Sequence, residues 1–433
     1  MIKVAMQTII LVVAVLITGQ AMAETDVNIT GQVRVRSELS DRSFDSTAKA
    51  QQYTYLRTRV MADAAIDDNT HAVVQFQDSR TLGAGGFSGD HTTGDAKNVD
   101  LHQAYLQVDH LWENGPGLKA GRFEVNLGNQ RVFGSVGWHN VGRSWEGFQA
   151  WLDRENVRFD AFWLKKMELD DVTGNTDYDI FGAYATIKPA NLDLFAFFEH
   201  DAYQDDSTPV TNAPTGTFYS HHKRLKRLNL GLHYKRTYQQ FDFDVNAVYQ
   251  TGKMQQWDEP VPDSLASVEH DIAALMFTFE GGYTFDRSCK PRLGLGIDYA
   301  SGDDNLIDTD HKAYNNLYYT GHKFRGYMDY FLGSGSEGLM DVMLRLKVNP
   351  TEGWTVKGDL HLFRTATEYA DFSDTTATTR DVGMEFDLGV STVRVAGVNL
   401  AAGTSVFLPS ESYVGMADPD PTFWSYFQAT ANF

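Results

Sequence analysis

The chain is short of four things. It has one cysteine, Cys289, so no intrachain disulfide framework is open to it. Past residue 17 it has no apolar run long enough for a membrane-spanning helix. It is poor in basic residues, with 37 Lys and Arg against 57 Asp and Glu and a formal net charge of −20. That balance argues against a nucleic-acid partner, though it does not exclude a basic pore, because net charge hides where the charges lie. It also lacks any metal-ligand spacing, phosphate loop or dinucleotide fingerprint, so no cofactor is expected.

The first thing present is an export signal. Lys3 supplies the positive start, Ile9 to Ile17 an apolar core, and Ala21-Met22-Ala23 a small-x-small cleavage site. Residues 1–23 are therefore expected to be removed, leaving 24–433 as one domain. No linker or low-complexity tract divides it.

The second is alternation. Val27, Ile29, Val33 and Val35 alternate with Asn28, Thr30, Gln32, Arg34 and Arg36. Leu56, Val60, Ala62 and Ala64 alternate with Arg57, Arg59 and Asp63, and Met340 to Val348 with Asp341, Arg345 and Lys347. Such a period of two places apolar side chains on one face and polar ones on the other. The aromatic fraction, 13%, also favours strands over helices.

The pattern predicts about 18 strands of membrane-spanning length. They fall at 26–39, 53–66, 70–80, 99–110, 117–124, 145–153, 156–166, 177–188, 191–203, 224–236, 239–253, 268–285, 290–301, 338–349, 353–366, 379–389, 396–408 and 422–433. Every second connection is short, as at Asp67–Asn69, Arg154–Glu155 and Thr237–Tyr238. The others are long: 40–52, 81–98, 125–144, 167–176, 204–223, 254–267, 302–337, 367–378 and 409–421. Strict alternation of loop length predicts an all-β fold, a transmembrane antiparallel up-and-down barrel with short periplasmic turns and long extracellular loops. A soluble sandwich gives no reason for it. The last strand ends on Phe433, an aromatic end typical of outer-membrane barrels. Phe162-Trp163, Phe197-Phe198 and Trp424 with Tyr426 are candidate interfacial girdles.

With apolar faces turned to lipid, the opposite faces line a lumen. Arg34, Arg36, Arg57, Arg59, Arg227, Lys235, Arg345, Lys347 and Lys357 are then expected to point inward. So are Glu38, Asp63, Asp109, Asp341, Asp359, Asp381, Glu385 and Asp387. Many should pair across strands. That much charge in a dry core is prohibitive, so the lumen is expected to be partly wet. The stretch Gly121 to Gly147, GRFEVNLGNQRVFGSVGWHNVGRSWEG, is too glycine-rich for a helix and too long for a simple turn. Its arginines, Arg122, Arg131 and Arg143, join the early four as a cationic constriction in which a carboxylate gains charge-assisted contacts. The acidic residues gather mainly in outer loops: Asp90, Asp95, Asp170-Asp171, Asp205-Asp206, Asp303-Asp304, Asp308 and Asp310. Such a rim suits bridging by calcium.

The same stretch, read as AGRFEVNLGNQRVFGSVGWHNVGRSWEGFQAWL, resembles the alginate-export porins in its glycine-arginine strand, its Gln-Arg, its Trp and its Gly-Arg-x-aromatic-acidic-Gly return. NNLYYTGHKFRGYMDYF, from Asn315 to Phe331, is similar to a second family segment. The resemblance implies an 18-stranded outer-membrane barrel with an arginine-lined conduit for an anionic polysaccharide, periplasmic export partners, and motif positions at Arg122, Arg131 and Arg143. The chain departs from the pattern in Trp145-Glu146, where Phe-Asp is more usual, in its acidic balance, and in lacking a long periplasmic turn.

Three functions remain to be separated. The first is a channel for anionic saccharides, alginate-like or uronate-type, or for small organic anions. The second is a general or cation-preferring porin ruled by acidic loops. The third is a hydrolase using Ser220 with His221-His222, or His200 with Asp201, although no spacing specifies a triad.

Overall fold

In the first hairpin the alternation becomes geometry. Val27, Ile29, Val33 and Val35 are exposed on the outer face while Arg34 and Arg36, at the alternate positions, are buried within. The computed structural model describes residues 26–44, 47–83, 96–168, 177–202, 209–213, 216–219, 224–257, 267–306, 308–374, 376–395, 397–415 and 418–433. The export signal read at 1–23 lies outside them, as do Ser220 and His221-His222.

Eighteen antiparallel strands form the wall among the described residues. They are β1 (Asp26–Asp41), β2 (Gln51–Asp67), β3 (Thr70–Thr81), β4 (Lys97–Val108), β5 (Gly117–Phe123), β6 (Trp145–Asp153), β7 (Val157–Met167), β8 (Tyr178–Ile187) and β9 (Leu192–Asp201). The second half holds β10 (Leu225–Tyr238), β11 (Phe241–Trp257), β12 (Ser267–Thr284), β13 (Arg292–Ala300), β14 (Leu339–Val348), β15 (Trp354–Ala370), β16 (Thr378–Val395), β17 (Val398–Pro409) and β18 (Thr422–Asn432). Each pairs with its chain neighbours, and β1 also pairs with β18, Gln32 opposite Asn432, which closes the barrel. Closure leaves no sheet edge, the condition for a sheet to cross a bilayer. The short turns all lie on one side; the turn after β10 falls at Gln239-Gln240, two residues later than the sequence suggested.

Two of the long loops do not rise outward. Residues 124–144 and 312–338 fold into the barrel and pack on each other. Their backbones join through Gly134 N to Tyr318 O (2.9 Å) and Tyr318 N to Val132 O (3.0 Å). Phe123, Phe133, Trp145, Phe162, Phe197 and Tyr318 form one core inside the barrel, and Met328, Phe331, Phe363, Phe407 and Trp424 a second. Much of the lumen is thus packed and dry. This corrects the girdle reading for Phe162, Phe197 and Trp424, which are buried inside, and for Tyr426, which packs inside against Trp138. Trp163 and Phe198, one residue along, face out, because adjacent strand residues point to opposite sides. Asp381 is also corrected. The register shifts between Phe363 and Arg364, and Val382, not Asp381, takes the buried position.

The motif glycines explain how β5 and β6 approach their neighbours. Gly121 pairs with Gly147 and has φ +131. A Cβ at Gly121 would lie 2.2 Å from the carbonyl oxygen of Ala104 in β4. Gly121→Val is therefore expected to prevent this stretch of wall from forming. The protein should lose its heat-modifiable migration on gels; a fully folded variant would contradict the assignment.

Candidate conduction pathway

The early arginines hold the first inward loop. Arg34 Nη1 donates to the carbonyl of Gly137 (2.8 Å), and Arg57 Nη1 to those of Gly137 and His139 (both 3.0 Å). Arg36 donates to Trp138 O (2.5 Å) and Glu38 (2.6 Å), and its guanidinium lies 4.1 Å from the centre of the Trp138 ring. Arg59 bonds Gln77 and Glu124, and Glu124 also contacts His102 Nε2 (2.8 Å). These four side chains do point inward. Their donors, however, are spent largely on the loop, so they position a constriction rather than line an open bore.

Arg131 and Arg143 sit in that constriction. Arg131 is buried, stacks on Phe324 at 3.8 Å and pairs with Asp298 of β13. Asp298 also receives Arg325 Nε from the second loop (3.0 Å). One carboxylate thus ties together a guanidinium from each loop. Arg143 donates to the carbonyls of Gly134 (3.2 Å) and Tyr318, bridging the loops directly. Arg122 departs from expectation. It lies opposite Glu146, to which it donates at 2.8 Å, and Glu146 lies opposite Lys165. All three share the outward face of Leu118, Phe148 and Trp163, because Lys119 and Phe123 take the inner positions. Arg122 does not line the pore.

The second loop is fastened by buried carboxylates, of which the sequence placed Glu385 and Asp387 inward without assigning a task. Glu385 Oε1 accepts from Met328 N (2.8 Å), and Asp387 from Tyr327 N (3.2 Å). Glu199 accepts from Arg227 (2.7 Å), Tyr178 (2.7 Å) and Tyr318 (3.0 Å). Arg325, Asp298 and Glu199 were missed as site residues, since nothing local marks contacts this far apart in the chain.

Two cavities flank the constriction. The outer one, about 880 Å³, is built by both loops, with Trp138, His322, Tyr319 and Asn316 among its lining. The inner one, about 540 Å³, lies by the short turns and contains Arg131, Lys235, Lys323, Arg345, Lys347 and Lys357. Both fall within the roughly 300–1,000 Å³ that holds small ligands. Arg345 pairs with Glu280 (3.0 Å) and donates to Phe324 O (3.1 Å). Lys347 stands directly opposite Lys357 in the ladder. Among the described residues neither lysine has a carboxylate within ion-pair distance, and Lys323 bonds the carbonyl of Asn129 (3.0 Å). Like charges face to face destabilise a sheet unless an anion offsets them.

A hydrolytic centre finds no support at His200 and Asp201. His200 stacks on outward Phe198, whereas Asp201 is buried on the inner face. Of the acidic loop residues, Asp304 pairs with Lys312 (2.8 Å), while Asp90, Asp95, Asp170-Asp171 and Asp205-Asp206 lie outside the described residues. Among the described residues no group of three or more His, Cys, Asp or Glu is arranged to hold a metal ion.

Against known proteins, the family model named Alginate export matches residues 25–418. The chain belongs to the alginate export family. No curated protein sequence matches it. Among solved structures, this alginate export family member is similar to OccAB1 of Acinetobacter baumannii, with 13% identity, 96% of this chain and 99% of that one covered, and a TM-score of 0.61. It is also similar to OccK2 (OpdF) of Pseudomonas aeruginosa, at 11% identity, the same coverage and a TM-score of 0.58. OccK2 has a structure in complex with glucuronate. At such identity the likeness concerns the fold. Family and barrel together make the chain an outer-membrane channel.

Proposed function

We propose that the channel passes anionic saccharides of the uronate class, or organic anions of similar size. The observation that carries this reading is the inner cavity. In a chain of net charge −20, Lys323, Lys347 and Lys357 converge there beside Asp242, Asp244, Glu280 and Asp359, and among the described residues none of the three lysines has a carboxylate within ion-pair distance. An anion crossing the constriction meets Arg131 and Arg345 on the same path, and charge-assisted contacts favour carboxylates over neutral sugars. The family name and the glucuronate held by OccK2 agree with that ligand class. The acidic rim expected from the sequence favours the cation-preferring alternative, as does Asp359 in the inner cavity, but the other carboxylates lining that cavity, Asp242, Asp244 and Glu280, are paired with Arg292, His233 and Arg345, and Asp298, Glu199 and Glu385 hold the loops.

Single-channel block tests this. Glucuronate is expected to interrupt the current at concentrations where glucose does not, and Lys347→Gln with Lys357→Gln should weaken the block. Equal effects of glucose and glucuronate would count against the reading.

A further inference from the structure

The outer rim is lowest at β5 and β6. β4 runs out to Lys97, yet its last partner in β5 is Arg122, opposite Ala104. On the other side, the last partner of β6 in β7 is Lys165, opposite Glu146, although β7 continues to Met167. The connecting loop folds inward instead of capping the gap. A cavity of about 540 Å³ opens in this notch, with Arg122, Arg143, Ser144, Trp145, Lys165 and Lys166 in its lining.

The notch is made of donors. Among the described residues its one lining carboxylate, Glu146, is taken by Arg122. Among the described residues Lys166 has no carboxylate within ion-pair distance, and it lies 4.0 Å from the centre of the Tyr178 ring. Lys165 is committed to Asp177 (2.7 Å), Glu168 (2.9 Å) and Asp179 (3.4 Å), and among the described residues Arg143 bonds neutral carbonyls. Three buried polar atoms here have no hydrogen-bond partner: Arg122 Nε, Ser144 Oγ and Trp145 Nε1. Trp145 is only 6% exposed, so its N–H is cut off from water. Unmet buried groups are costly and rare.

We propose that this notch binds a phosphate group, carried by a lipid headgroup of the outer leaflet or free in solution. A phosphate monoester brings three strong acceptor oxygens and about −1.5 to −2 charges, which match a donor-rich site. A carboxylate brings two oxygens and a single charge, fewer than the donors present. Arg122 stands on the lipid-facing side at the outer end of its strand, where a headgroup reaches it, while Lys166 and Ser144 approach from behind.

The test uses the full-length protein in detergent. Native mass spectrometry compares retention of diphosphoryl lipid A with the same lipid stripped of phosphate, and a parallel titration uses inorganic phosphate alone. The phosphorylated lipid should be retained preferentially. Arg122→Gln with Lys166→Met should weaken retention about tenfold or more, the size expected for losing charged hydrogen bonds. The near-isosteric Ser144→Ala should weaken it less, and heat-modifiable migration checks that each variant is folded. Binding of inorganic phosphate without lipid retention supports the site and assigns a soluble source. Equal retention of both lipids with no binding of inorganic phosphate, or retention and phosphate binding unchanged in all folded variants, overturns the proposal. Ion selectivity is not the readout, so failure here leaves the reading of the lumen standing.

Discussion

Asp298→Ala is expected to loosen the constriction and raise the single-channel conductance severalfold. Asp298 is the shared counter-charge of Arg131 and Arg325, one from each inward loop. All three are buried. Removing one partner of a buried ion pair costs about 3–5 kcal/mol, because the remaining charge is stranded. Here two guanidinium groups are stranded, and the cheapest relief is for both loops to move toward water. The wall should survive. Position 298 keeps its ladder partners Thr278 in β12 and Asp341 in β13's other neighbour, β14. The variant should therefore migrate as a folded barrel, conduct more, and be cut faster by protease within 124–144 or 312–338. Unchanged conductance in a folded variant would show that Asp298 does not fasten the loops.

The second large effect is a reversal of ion preference. Lys347→Glu with Lys357→Glu changes two solvent-exposed charges on facing strands of the inner cavity. Two unit charges 4 Å apart interact by about 1 kcal/mol even at the dielectric constant of bulk water, so each reversal shifts a passing ion by about 2 kcal/mol. Since about 1.4 kcal/mol is a factor of ten, the ratio of anion to cation permeability should fall by tenfold or more. The double glutamine variant should lie between. Bi-ionic potentials in planar bilayers read this out. An unaltered ratio would place selectivity elsewhere.

The barrel was legible in the sequence because its cause is local. Arg34 and Arg36 must share a face when the chain is extended, and the loop lengths alternate in plain view. The lumen was less legible because its contents arrive from far along the chain. Phe133 meets Tyr318 in a parallel bridge, and Arg131 meets Asp298. Neither contact has a local signal. The same cause misled the reading of Arg122. The rule of apolar outside and polar inside assumes a wet interior. Where the inward loops build a dry core, Phe123 turns in and Arg122 turns out. Phe162, Phe197 and Trp424 follow the same logic. The early arginines were placed on the correct side, but only the folded loop shows that Gly137, Trp138 and His139 claim their donors.

The most direct measurement is the zero-current potential of the wild-type protein in a planar bilayer under a potassium chloride gradient. With the unpaired lysines of the inner cavity governing passage, its sign should be that of chloride moving down its gradient, and it should shrink as salt rises and screens the lysines. A potential of the opposite sign, set by potassium, would contradict the account.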